Sequence, residues 1–125
     1  MPNFILVMLG GALGAGARFG IGRLMLAHMG PTYPWGTLTV NLAGGLAMGL
    51  LAGILSRHSA AQESLFLFLG TGILGGFTTF SAFSLDAVSM IQRGALGSAA
   101  LYAIISVTGS IALLFAGLAA ARSLT

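Results

Sequence analysis

The stretch from Gly70 to Asp86, GTGILGGFTTFSAFSLD, interrupts an apolar run that is otherwise suited to crossing a bilayer. Its flanks, Leu65 to Leu69 before it and Val88 to Ile91 after it, favour helix in lipid. Its centre instead holds Gly72, Gly75, Gly76, Thr78 and Thr79. Glycine costs more in a helix than any residue except proline, and β-branched threonine is a middling helix former, so a break is expected near residues 75–79. Unwound backbone inside hydrocarbon survives only where protein or a water-filled cavity satisfies its N–H and C=O groups. The break therefore predicts a site, with the rest of the chain as its housing.

The remainder of the sequence has no other obvious solvent than lipid. Of 125 residues, 57% are hydrophobic and 6% charged, and the mean hydropathy is +1.01. A water-soluble domain carries roughly 25% charged residues. The chain is thus expected to be an all-α integral membrane protein, multi-pass, in the cell membrane. About 20 apolar residues per crossing gives four spans near 4–26, 35–56, 64–92 and 95–121, joined by HMGPTYP (28–34), RHSAAQE (57–63) and Gln92-Arg93-Gly94. They form a single transmembrane domain over 1–125. The third span is long enough to hold two half-helices, 64–74 and 80–92, of about 16 and 20 Å at 1.5 Å per residue. No positive charge precedes the first apolar run, so it is expected to be retained and not cleaved as a signal.

The net charge of +3 comes from five arginines against Glu63 and Asp86. With no basic patch, it points to headgroup contacts and excludes a nucleic-acid partner. Four spans place Arg57 and Arg122 on one side and Arg23 and Arg93 on the other. Such an even split gives no strong preferred orientation, and from it an antiparallel dimer is expected. Small residues four apart (Gly10 and Gly14; Gly16 and Gly20; Gly45, Gly49 and Gly53; Gly72 and Gly76) let helices approach closely in lipid and are expected to pack a compact bundle or oligomer.

Polar side chains at bilayer depth need partners, and they mark either a helix contact or a pathway. Thr37 and Asn41 lie one turn apart on the second span. Ser98, Tyr102, Ser106 and Ser110 recur every four residues on the fourth and form a hydroxyl stripe. Beyond the break, Phe80 and Phe83 share one face, as do Ser81 and Ser84. An aromatic ring has a positive edge, so two rings presented edge-on beside threonine hydroxyls such as Thr79 suit a small anion. Arg18, late in the first span, either snorkels to the interface or holds a negative partner. Asp86 falls about 10 Å past Thr79 along a helix, toward an interface or vestibule. No ionisable group is expected at the midplane. His28 and His58 read as loop residues without metal-ligand spacing. No nucleophile–base pair or cofactor motif supports an enzyme.

Taken together, GGALGAGARF (10–19), WGTLTVNLAG (35–44) and GILGGFTTFSAF (72–83), followed by Asp86 and the Tyr102, Ser106, Ser110 stripe, resemble the Fluc/CrcB fluoride channel family over essentially the whole chain. The resemblance implies a dual-topology antiparallel homodimer with two pores that export fluoride passively. It also implies a structural sodium ion at the dimer centre, held by backbone carbonyls at the positions of Gly75 and Thr78. Phe80 and Phe83 match the family's pore phenylalanines, Asn41 its pore asparagine, and Tyr102, Ser106 and Ser110 its polar track. Thr37, Thr79 and Ser81 fall on pore-side or break positions, with Arg18 and Asp86 as vestibule candidates. Ala82 stands where threonine is frequent in the family, and Asp86 where glutamate is.

The local physics agrees with that account. Carbonyls freed at the end of the first half-helix favour a cation, and the free N–H groups opening the second favour an anion. A central cation would add positive potential where a halide passes. Hydroxyl and amide donors must replace fluoride's water, and a narrow path with closely spaced donors would exclude chloride. The alternative is a small multidrug resistance-like, proton-coupled exporter. It requires a carboxylate in the first span, and residues 4–26 contain none. A purely structural membrane subunit would leave the interrupted third span without a purpose.

Overall fold

The computed structural model describes residues 2–55 and 59–124. Arg57 and His58, and with them the centre of the second loop, lie outside the described residues. The elements are α1 (Asn3–Met29), α2 (Trp35–Ile54), α3 (Ala60–Phe66), a π-helical segment (Leu67–Leu74), α4 (Gly75–Phe77), α5 (Phe80–Gln92) and α6 (Leu96–Leu124). There is no strand among the described residues. Four stretches are long and apolar enough to cross a membrane: Asn3–Met29, Trp35–Ile54, Ala60–Gln92 and Leu96–Leu124.

The ends of these stretches shift from the expected limits for local reasons. α1 runs on through His28, whose Nδ1 donates to Leu24 O at 2.9 Å. His28 is therefore a residue of the last helical turn and not of the loop. Gly30 stops the helix with φ +81° and an amide donating to Leu26 O, the left-handed conformation that glycine adopts without strain. The third stretch starts at Ala60, four residues before the expected Ser64, because Ser59 accepts from the Gln62 amide as an N-cap. At the other end Gly94, with φ +82°, donates to Ile91 O and Ala95 donates to Met90 O. This is a Schellman closure that turns the chain directly into α6.

The third stretch is made of joined pieces. α3 widens into a π-helical segment of eight residues, a geometry that is rare beyond a single turn. After α4 the backbone extends at Thr78 (φ −88°, ψ 159°) and Thr79 (φ −152°, ψ 120°) before α5 begins. The length expected for the first half, about 16 Å, assumed α-helical rise. The π geometry replaces that rise over residues 67–74.

Glycines set how the spans pack. A Cβ on Gly14 would strike Ile73 O, and one on Gly10 would come within 2.5 Å of Phe68 O, so α1 rests backbone to backbone on the π segment. On the other side, Gly45, Gly49 and Gly53 of α2 meet α6 at Ser110, Leu114 and Ala121. Association in lipid is driven by such close approach, since hydrocarbon supplies no hydrophobic force between helices. Gly16 and Gly20 depart from this pattern. Nothing lies within 4 Å of a Cβ at either, so that pair packs against nothing among the described residues.

The buried core is small, with Leu38, Met90, Ala99 and Tyr102 forming one cluster capped by Tyr33, Trp35 and Phe83. Large apolar side chains such as Phe4, Leu13, Phe19, Ile104 and Phe115 lie on the outside. Apolar side chains thus lie outside as well as within, which suits a lipid solvent, in which apolar atoms need no shelter.

Candidate functional site

The Thr78 amide still reaches Leu74 O one turn back, but the extended backbone at Thr79 takes its N–H and C=O out of the helical ladder, and a side chain of α2 replaces the lost partners. The Thr79 amide donates to Asn41 Oδ1 at 2.8 Å, and Asn41 Nδ2 donates back to Thr79 O at 3.0 Å. One amide side chain of α2 thus mimics a strand partner. Thr79 Oγ1 accepts from the Ala82 amide at 3.1 Å and caps α5. Thr78 Oγ1 donates to Leu74 O at 3.0 Å, sharing that carbonyl with its own amide. The amides of Phe80 and Ser81, in the first turn of α5, have no partner within that helix, as at any helix start.

The carbonyl side of the interruption faces a different partner. Arg18 Nε donates to Gly76 O at 3.0 Å from 58 residues away. The guanidinium therefore reaches inward to the C-terminal end of α4, where the helix dipole favours positive charge. Of the two roles open to Arg18, the structure gives it a negative partner, and that partner is a carbonyl dipole. Because the Thr79 amide has turned to Asn41, it does not return to the Gly75 carbonyl one turn back. Gly75 itself is exposed.

Beside this point lies a cavity of about 370 Å³, and Asn41, Thr79, Phe80, Phe83, Ser106 and Ser110 all line it. The Phe80 and Phe83 rings stand 5.5 Å apart at 42°, with Phe80 76% exposed. Ser110 Oγ donates to Asn41 O at 3.4 Å. Ser106 is 6% exposed, and its Oγ has no hydrogen-bond partner among the described residues. A buried hydroxyl left unpaired costs about 1–3 kcal/mol, and Ser106 carries this one at a position that lines the cavity.

The remaining candidates gather elsewhere. Tyr102 is wholly buried, with Phe83 5.2 Å away on one side and its hydroxyl donating to Asp86 Oδ2 at 3.1 Å on the other. Asp86 and Thr37 line a second cavity of about 270 Å³, under Tyr33 and Trp35 and beside Arg93. Arg18, Thr37 and Thr79 line a third, of about 250 Å³. Ser81 is exposed and lies 3.4 Å from the Thr79 hydroxyl. Ser98 is exposed at the end of its stripe, so the inward face runs from Tyr102 to Ser110. Sequence reasoning missed Tyr33, although an aromatic residue between two prolines in a short loop carried a usable signal.

Four apolar spans, the third made of joined pieces, with an amide and hydroxyls gathered at the Thr78–Thr79 joint, define a small multi-pass membrane protein with a polar seam. The family model for CrcB-like protein, Camphor Resistance (CrcB), matches residues 5–118. The chain belongs to this family. It is similar to proteins named fluoride-specific ion channel FluC from Agrobacterium fabrum (51% identical over 124 residues, 99% of each chain) and from Hyphomonas neptunium (52% over 124 residues, 98% of this chain and 97% of the relative). The relative of the same name from Sphingopyxis alaskensis is 48% identical over 124 residues, covering 99% of this chain and 98% of its own.

Proposed function

We propose that this chain is a passive, fluoride-selective channel that works as an antiparallel homodimer with two pores. The observation that carries this reading is the Ser106 hydroxyl, buried and unpaired in the wall of a cavity shared with Asn41, Thr79, Phe80, Phe83 and Ser110. A small anion stripped of water needs donors already in place, and an orphaned hydroxyl is one. Ser110 places a second hydroxyl one turn along α6, whose proton rests on Asn41 O and would turn from it to meet an anion, and the amides opening α5 add positive dipole ends. Phe80 and Phe83 supply ring edges that attract an anion without trapping it. The curated relatives, near 50% identical over their full length, are named as fluoride-specific channels.

The dimer is supported by what one chain leaves uncovered. Phe80 is 76% exposed although it lines the cavity, and among the described residues nothing lies within 4 Å of a Cβ on Gly16 or Gly20. A second copy in the opposite orientation would close each cavity into a pore, giving two. The proposed sodium ion follows the same logic. The carbonyls of Gly75 and Thr78 flank the interrupted ladder and suit a hard cation. Two carbonyls make only part of a shell, so the same pair is required from the second copy. The ion would supply fixed positive charge at the centre.

The deciding experiment is efflux from liposomes containing the purified protein, followed with a fluoride electrode. A fluoride gradient should collapse while a chloride gradient of equal size persists. Equal leakage of both ions would end the reading. Phe80→Ile should cut fluoride flux sharply while leaving the size-exclusion profile of the protein unchanged, and wild-type flux from it would put the pore elsewhere.

A further inference from the structure

The first loop carries a residue that the sequence reading left unassigned. Tyr33 sits between Pro31 and Pro34 in the turn from α1 to α2. A residue before proline is held extended, and its carbonyl also accepts from the Trp35 amide at 2.8 Å. The backbone therefore aims the ring. It lies 4.8 Å from the Trp35 ring and meets the Tyr102 ring edge-on, at 5.7 Å and 81°. Edge-to-face contact fixes relative orientation as well as distance. Tyr102 is the residue whose hydroxyl reaches Asp86 and whose ring touches Phe83. Tyr33 also lines the cavity that opens onto Asp86 and Thr37.

We infer that Tyr33 is a positioning residue for conduction: braced by Trp35, its ring presses on Tyr102, holds the Tyr102 hydroxyl on Asp86 and so keeps the polar track aligned with the Phe83 side of the cavity. The inference rests on the proposed reading that Tyr102 belongs to the ion path. Tyr33 touches no ion and acts through its neighbour's ring. The phenol is not used, and burial pushes its pKa above the ordinary tyrosine value, so it brings no charge to the mouth at neutral pH. Ring shape and rigid placement are the whole of its contribution.

The test is fluoride efflux from liposomes with four proteins: Tyr33→Phe, Tyr33→Ala, Tyr102→Phe and the double variant Tyr33→Ala/Tyr102→Phe. Tyr33→Phe should conduct like the parent, because the ring remains. Tyr33→Ala should lose flux several-fold with an unchanged size-exclusion profile. Tyr33→Leu, apolar but without a ring, takes its place if the alanine variant does not fold. If Tyr33 acts through the Tyr102 hydroxyl, the double variant loses no more than Tyr102→Phe alone, the non-additivity expected of residues sharing one interaction. Additive losses, an unaffected Tyr33→Ala, or a Tyr33→Phe as impaired as alanine would each overturn the inference. Parental flux from Tyr102→Phe would instead remove the underlying reading, and the inference with it.

Discussion

At the scale of single residues, Asn41 carries more than its class suggests. Its side chain satisfies both backbone groups of Thr79, and loss of such a partner costs about 1–3 kcal/mol for each buried group left unpaired. Asn41→Ala should therefore lower thermal stability in detergent and abolish fluoride flux together. Asn41→Asp keeps an acceptor for the Thr79 amide but sets a carboxylate oxygen against the Thr79 carbonyl, so flux should fall sharply while the protein still folds. Comparing melting temperature with efflux for the two variants checks this, and parental flux in either would mean that the Thr79 geometry is not required. Ser106→Ala has the opposite signature. It removes an unpaired buried hydroxyl, so stability should hold or rise while flux drops several-fold. A variant that conducts like the parent would show that the hydroxyl does not serve the ion. Residue type and spacing were enough to single out both positions. Their different duties were not legible, because the partner of Asn41 lies 38 residues away and the isolation of Ser106 is visible only once the helices are packed.

At the scale of elements, the contrast between α1's two glycine pairs decides what the four-residue spacing means. Gly10 and Gly14 bring α1 against the backbone of the π segment and α4, with no room for a methyl group, whereas Gly16 and Gly20 face open space. Gly14→Ala should destabilise the protein, by about 1–3 kcal/mol as for other overpacked sites, and should displace the third span enough to reduce flux. Gly16→Ala should leave the monomer fold intact and, by helix propensity, favour it slightly. If Gly16 faces a second copy, its alanine variant shifts the monomer–dimer balance instead, which cross-linking or sedimentation would report. Sequence pattern gave the same weight to all four glycine sets, since spacing shows that a face is smooth and not what lies against it. The π segment was likewise illegible. Apolar composition is equally compatible with α and π winding, and close packing of α1 on Gly72 and Ile73 goes with the wider helix. By contrast, the four spans follow from local chemistry, because long apolar runs act within a few residues; of the break expected over 75–79 only Thr78 and Thr79 are extended, while Gly75–Phe77 stay helical where α1 packs on them.

At the scale of the whole molecule, the proposed function depends on orientation as much as on geometry. Among the described residues, Arg23 and Arg93 belong to the end of the bundle that carries the first and third turns, while Arg122 belongs to the end that carries both termini. With so few charges in play, two added lysines outweigh the native bias of short loops. Asn3→Lys/Ser123→Lys should fix the termini on the cytoplasmic side, and His28→Lys/Gln92→Lys should fix them on the opposite side. All four positions are exposed, so the bundle itself should be undisturbed. If each pore needs two chains in opposite orientation, neither locked chain expressed alone will restore growth of a fluoride-sensitive host, and the two expressed together will. A chain locked one way that still discharges fluoride at the parental rate would mean that the uncovered cavity is closed by something other than an inverted copy. The proposed central cation would then lose the second pair of carbonyls it requires, whereas Ser106 and the Asn41–Thr79 pair would keep their places within one chain.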